Sequence, residues 1–467
     1  MTAERMMAST SSPVPGSTGG STASGSGDGG ARLAGSSIAF GRMGASPPGP
    51  PGPRPDGRRL RIALLGDFSG RAGRGALESG RALADRRPIA LDIDTLDDVI
   101  AGFRMVLPLT LAPSGESVEI DLGAIDDLHP DEIFARLPLF EELAGLRRRL
   151  ASGKGVEQAV AALQAMGAAP ALAAMPGPGR GASVPADRSL SDFARLIGGE
   201  AEPAAPSPID ALLARVVGPH VVAAPDPRAD SMIAAVDAAL ASAMRAILHH
   251  PDFQAVEAGW RALDLLARRV ETGEHVDIVL HDVAAEEWAA DLAGADDLAD
   301  SALYEMLHTR PATGARGPYG AVFALYTLEE TPVHAALLAR MGKIARHMDA
   351  PFVAAMAPAA LDRAPGERHP LVASAWEALR AQPEAAWLGL ACPRVMGRRP
   401  YGRRSDPVDA FAFEEFRPED GLAQLLWMNP AAVAAILMGQ TAVTGEGSVA
   451  LGRVTALDDM AYHTVTD

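Results

Sequence analysis

The 467-residue chain has two lysines, Lys154 and Lys343, one cysteine, Cys392, and only 5% aromatic residues. A single cysteine excludes an internal disulfide framework and fits a reducing compartment. No stretch of about 20 apolar residues runs free of charge, proline or glycine clusters, and the opening MTAERMMASTSS has no apolar core of a secretory leader, so a soluble, cytoplasmic bacterial protein without membrane insertion is expected. Phosphate binding draws on clustered positive charge, and the formal net charge is −17, which argues against nucleic acid as a partner. Recognisable enzyme motifs are scarce too. Gly66, Gly70, Gly73 and Gly75 follow an apolar run, but their loop fits neither G-x-x-x-x-G-K-[ST] nor G-x-G-x-x-G and has no lysine. It reads as a turn, and a nucleotide-using α/β enzyme stays a remote alternative. Asp92, Asp94, Asp97 and Asp98 lack the ligand spacing and glycine of a calcium loop and suit helix capping instead. His249 and His250 are adjacent, so on a helix they diverge by about 100° and do not share a metal. No H-E-x-x-H or G-x-S-x-G occurs, and no catalytic residue, metal or cofactor is expected.

What the chain does have is short apolar runs alternating with amphipathic stretches. Residues 1–58 are Ser, Gly, Pro and Ala, ending in PPGPPGPRPDG; such a segment buries too little surface to offset its ordering entropy and is expected to be a disordered tail. From Leu60, RIALLGDF reads as a buried strand, and Ile89, Leu91 and Ile93 alternate as another. Asp94 or Thr95 then caps a helix carrying Leu96, Val99, Ile100 and Phe103. SVEIDL is a further strand, and a Leu-rich helix over 139–150 sets Arg147, Arg148 and Arg149 at its negative end. These pieces make a small α/β unit over 59–152, followed by an Ala/Gly/Pro-rich linker over 153–206.

In residues 207–467 the runs HVDIVLHDV, PYGAVFALYTL, APFVAAMAP and AAWLGLACP alternate with helical patterns, which indicates a mainly parallel sheet covered on both faces. The fold class is therefore α/β: a small α/β module joined by a linker to a larger, mainly parallel-sheet α/β domain. Cys392, closing its apolar run, is expected to be buried and inert. Over residues 231–269, Val236, Leu240, Met244, Ile247 and Leu248 mark one helical face. Pro251 stops that helix, and Phe253, Val256, Trp260 and Leu263 restart the period with Asp252 as the expected cap.

Two ordered strings carry a family resemblance. The His-Pro-x-Phe-Gln corner followed by Glu257 and Trp260-Arg261-x-Leu263, then GPYGAVFALY, APFVAAMAP, WLGLACPRVMGRRPYG, FAFEEF and LLWMNPAAVAA, resembles the large subunit of the type VI secretion contractile sheath. GDFSG, RRPI, DIDTLDDV and DDLHPDEIF over residues 60–150 resemble its small subunit. The resemblance implies two sheath modules fused in one chain, the larger of them with a shortened C-terminal region that ends at Asp467. It implies a non-enzymatic structural protein that surrounds an inner tube and contracts to propel it. The implied partners are other sheath subunits, the inner tube protein, the baseplate and an AAA+ recycling ATPase. For that ATPase the matching contact helix carries Ile209, Leu212, Leu213 and Val216, with a packed first helix as the alternative. An accessory protein that docks on sheath or baseplate without polymerising is the second reading.

One basic cluster stands out, Arg394, Arg398, Arg399, Arg403 and Arg404 around Tyr401. Guanidinium forks pair well with carboxylates, so these six residues are the candidate partner interface, against the plainer reading of a solvated loop.

Overall fold

The computed structural model describes residues 30–33, 36–44, 59–111, 116–151 and 228–443. The expected linker, the helix expected to carry Ile209 to Val216 and most of the expected tail lie outside the described residues. The strands are β1 (Gly30–Leu33), β2 (Ser36–Ala39), β3 (Leu60–Gly66), β4 (Ile89–Leu91), β5 (Met105–Leu111), β6 (Glu116–Leu122), β7 (Val276–Asp282), β8 (Ala321–Leu328), β9 (Phe352–Met356), β10 (Leu388–Ala391), β11 (Val395–Met396) and β12 (Trp427–Met428). The principal helices are α1 (Gly80–Ala84), α2 (Leu96–Phe103), α3 (Pro130–Arg136), α4 (Pro138–Ala151), α5 (Arg228–Leu248), α6 (Pro251–Arg269), α7 (Ala285–Gly294), α8 (Pro332–Met348), α9 (Pro370–Arg380) and α10 (Pro430–Val443).

Six strands form the central sheet in the order β10-β9-β8-β3-β7-β4. All are parallel except β4, which runs antiparallel to β7 at one edge, with Ile89 opposite Leu280. The decisive feature is β3. It comes from the first module, yet it lies between β7 and β8 of the second, with Leu60 opposite Val276 and Ile62 opposite Ala321. The expected small α/β module thus shares a sheet with the larger one: among the described residues, β3 and β4 pair only with strands of the other module. Among the described residues, only the β5–β6 hairpin pairs within the first module. Its strand β5 was not foreseen because Pro108 interrupts it. A two-stranded ribbon leaves one side of each strand without ladder bonds, so a missing N–H is tolerated there.

Both faces of the sheet are buried, which explains the continuous apolar runs. Strand periodicity divides them: Ile62, Leu64, Ile278, Leu280 and Phe323 face one core with α5, α6 and α10, while Ala63, Leu65, Val279, Val322 and Tyr326 face another with α7, α8 and α9. β10 is an edge strand, so its sequence overstates its burial. Leu390 is 37% exposed, and Cys392 just beyond it is exposed, which corrects the expectation of a buried thiol.

Two local expectations also change. The cap of α6 is His250, whose Nδ1 accepts from the Asp252 amide at 3.2 Å, and Asp252 lies within the first turn. Within the stretch expected to be tail, β1 and β2 pair antiparallel and the following residues dock on the second module. Phe40 is 1% exposed, and both carboxylate oxygens of Asp297 accept from the Gly44 amide at 3.0 Å. Phe40 supplies the apolar anchor that the surrounding Ser/Gly sequence lacks.

Candidate functional site

The chemistry of this chain concentrates at the seam between the two modules and in the loop over 392–428 that closes against it. Helix α6 organises the seam. Its face carries Phe253, Val256, Trp260 and Leu263, all buried. Trp260 reaches into the first module, where its Nε1 donates to the Phe68 carbonyl at 3.0 Å and its ring lies 5.6 Å from Phe103 in an edge arrangement. Polar ties flank it. Arg147 pairs with Asp237 at 2.6 Å, and Asp131 accepts from the amides of Asp409 and Ala410 at 3.1 and 2.9 Å. Beside the last contact Phe134 stacks on Phe411.

Glu257 lies on the same helix and is fully buried. There the structure brings two of the expected interface residues inward. Arg398, with a side chain 8% exposed, bridges Glu257 at 2.6 Å and Glu415 at 2.6 Å, and its guanidinium lies 4.0 Å above the Tyr401 ring. Arg261 closes the cluster by pairing with Glu257 at 2.7 Å and donating to the Tyr401 hydroxyl at 2.9 Å. Tyr401 is 1% exposed, its amide donates to Glu415 at 2.7 Å, and His129 of the first module meets its ring edge-on at 4.9 Å. Burial alone would raise the Glu415 carboxyl, but His249 and Arg398 outweigh it and hold it at about 2. Arg398 is likewise held above the usual arginine range by Glu257 and Glu415 despite burial. Two guanidiniums against two carboxylates leave the cluster neutral, so it serves as an internal clamp between loop and helix.

The remaining predicted residues divide. Arg394 lies over the Trp427 ring at 4.6 Å, whereas Arg399, Arg403 and Arg404 are exposed. Sequence reading missed Glu415 as an anchor, although the signal was present. In FAFEEF the two-residue period sets Glu415 on the side of the buried Phe411 and Phe413. Glu257 likewise falls among the apolar positions of α6.

The glycine loop after β3 also has a structural use. Asp282 accepts from the amides of Phe68 and Ser69 at 2.9 and 3.1 Å, and Asp67 accepts from those of Arg71 and Ala72 at 2.7 and 3.0 Å. The amides that could cradle a phosphate are therefore taken by carboxylates. Burial, with Asp282 nearby, pushes the Asp67 carboxyl up to about 7. Alongside, Arg86 pairs with the fully buried Glu287 at 2.5 Å and with Glu78 at 2.8 Å. In the acidic run, Asp92 caps Asp94 at 3.0 Å and accepts from Thr272 across the seam.

This seam joins two segments with separate relatives. Residues 230–445 match the family described as EvpB/VC_A0108, tail sheath N-terminal domain. Residues 59–166 match the one described as Type VI secretion system, VipA, VC_A0107 or Hcp2. Together the two matches support a fused, small- and large-subunit-like sheath protein of the type VI secretion system. The type VI secretion system sheath protein TssC1 of Pseudomonas aeruginosa is 30% identical over 221 residues, covering 44% of each chain. This sheath protein thus spans less than half the length of that relative. Its small-subunit-like part carries β3, and its large-subunit-like part carries the strands on either side. Among the described residues, no helix is long and apolar enough to cross a membrane.

Proposed function

We propose that this protein is a cytoplasmic structural subunit of a type VI contractile sheath, in which each chain brings its small- and large-subunit modules already paired. The observation that carries the reading is β3, inserted between β7 and β8, which fixes the two modules at one to one within a single polypeptide. The seam is tied by Trp260, the Arg147–Asp237 pair and the Tyr401–His129 contact, so the paired modules move as one block. Contraction is then a change between two packings of such blocks around an inner tube, driven by their difference in free energy without a consumed cofactor. Arg399, Arg403 and Arg404 project from the clamped loop and suit the acidic surface of a neighbouring sheath protomer. The inner tube, the baseplate and an AAA+ recycling ATPase that engages the segment carrying Ile209, Leu212, Leu213 and Val216 complete the proposed partners.

Electron microscopy of the purified protein, alone and with a separately expressed pair of sheath subunits from the same cell, tests this. Ordered tubes containing the chain are expected. A protein that never enters a tube would overturn the proposal and leave an accessory that docks on sheath or baseplate.

A further inference from the structure

On the face of the sheet packed by α7 and α8, a cavity of about 230 Å³ opens beside β7. Arg61, Arg86, Arg310 and Arg316 line it with His281 and Tyr319, and no lining residue is acidic. The four guanidiniums are not equivalent. Arg86 is committed to Glu78 and Glu287, and Arg310 to Glu305 and Asp85. Arg61, 7% exposed, lies 4.5 Å from the Tyr319 ring centre and donates through Nη1 to the Gly317 carbonyl, but its Nε makes no hydrogen bond. The nearest carboxylate, Asp277, is 3.9 Å from that nitrogen. Arg316 is exposed at the rim.

His281 is 2% exposed, lies 2.9 Å through Nε2 from the Tyr319 hydroxyl, and has no partner for Nδ1. Burial, with Arg61 close by, lowers it to about 4, so the ring is neutral near pH 7. Two buried polar nitrogens without partners are costly, and folded proteins keep such groups for a ligand or an ordered water. Met306 and Pro311 make the rest of the wall apolar.

We infer that this cavity binds a carboxylate carried on a small apolar body. Arg316 and Arg61 supply the charge, while the apolar wall holds the body. A multiply charged phosphate fits less well, because Arg86 and Arg310 are committed to carboxylates, Arg61 has Asp277 at 3.9 Å and the imidazole is uncharged. The carboxylate can belong to a free small acid or to an acidic side chain of another copy of this chain, which bears 59 Asp and Glu residues.

Calorimetric titration of the full chain with benzoate, benzamide and inorganic phosphate tests the site. Benzoate is expected to saturate a single site and to bind about tenfold more tightly than the neutral benzamide or phosphate. Arg61→Gln should abolish binding, and Arg316→Gln, at an exposed position that folding does not depend on, should weaken it several-fold. Failure of benzoate to saturate, equal binding of benzamide, tighter binding of phosphate, or undiminished binding by R316Q would each overturn the inference. Sedimentation velocity identifies the source. Self-association dispersed by saturating benzoate assigns the carboxylate to a second copy, and unchanged association assigns it to a free small acid.

Discussion

Arg398 shows how burial changes the meaning of a basic residue. Held between Glu257 and Glu415, it compensates two charges that have no access to water. Arg398→Ala leaves both carboxylates buried without it and is expected to destabilise the protein by about 3–5 kcal/mol in urea unfolding. Arg403→Ala and Arg404→Ala, at exposed positions, should stay within about 0.5 kcal/mol of wild type. Equal effects at all three would contradict the clamp. Three titrating groups give the pH dependence. Glu415, held at about 2 against an ordinary 4.5, contributes stability that is present above pH 4.5 and is lost as pH falls through about 2. His281, at about 4 against 6.5, contributes stability that is present above pH 6.5 and is lost as pH falls toward 4. Asp67, at about 7 against 3.8, has the opposite sign: the folded chain keeps its proton where the unfolded chain has released it, so stability is lost as pH rises through 7. Asp67→Asn removes that last loss. Its stability relative to wild type should be higher at pH 8 than at pH 5 in denaturant titrations, and a pH-independent difference would refute the assignment.

At the level of elements, the close approach of α10 to the end of α6 depends on Gly439. A Cβ there would sit 2.7 Å from Val270 Cγ1, and Val270 is 1% exposed, with little room to move. Gly439→Ala gains about 1 kcal/mol of helix propensity but incurs an overpacking cost of about 1–3 kcal/mol. The cost should win, giving a variant less stable in thermal and urea unfolding; a more stable one would show that Val270 yields. The elements also show how much was legible in the sequence. Short apolar runs identified β3, β7, β8 and β9, and the Pro251 break located the corner between α5 and α6. The β5 strand was hidden by Pro108, and the cap at His250 by the more usual Asp252 beside it. For β10, its apolar sequence did not reveal that only one side of it is paired.

For the molecule as a whole, the shared sheet means that residues 59–151 do not complete their own fold, because among the described residues β3 and β4 have strand partners only in residues 228–443. A protease site introduced between residues 151 and 228 should yield two fragments that co-elute after cleavage and part only on unfolding. Residues 59–151 expressed alone should lack cooperative unfolding by circular dichroism. Independent folding of that fragment would overturn the single-sheet architecture. Among the candidate site residues, the sequence located the arginine loop but not its orientation. Arg398 and Arg399 are neighbours of the same type, and one is clamped inside while the other faces solvent, a distinction set by Glu257 in a distant helix.

By itself the sequence determined the α/β class and the presence of two sheath-like segments, because hydrophobic period and ordered motifs are local properties of the chain. Only the tertiary structure decided that the segments share one sheet, that Arg398 and Tyr401 close an internal cluster and that Cys392 is exposed. Strand neighbours, charge partners and solvent access all arise from contacts between residues far apart in the chain, and no local pattern encodes which distant surface will cover a given side chain.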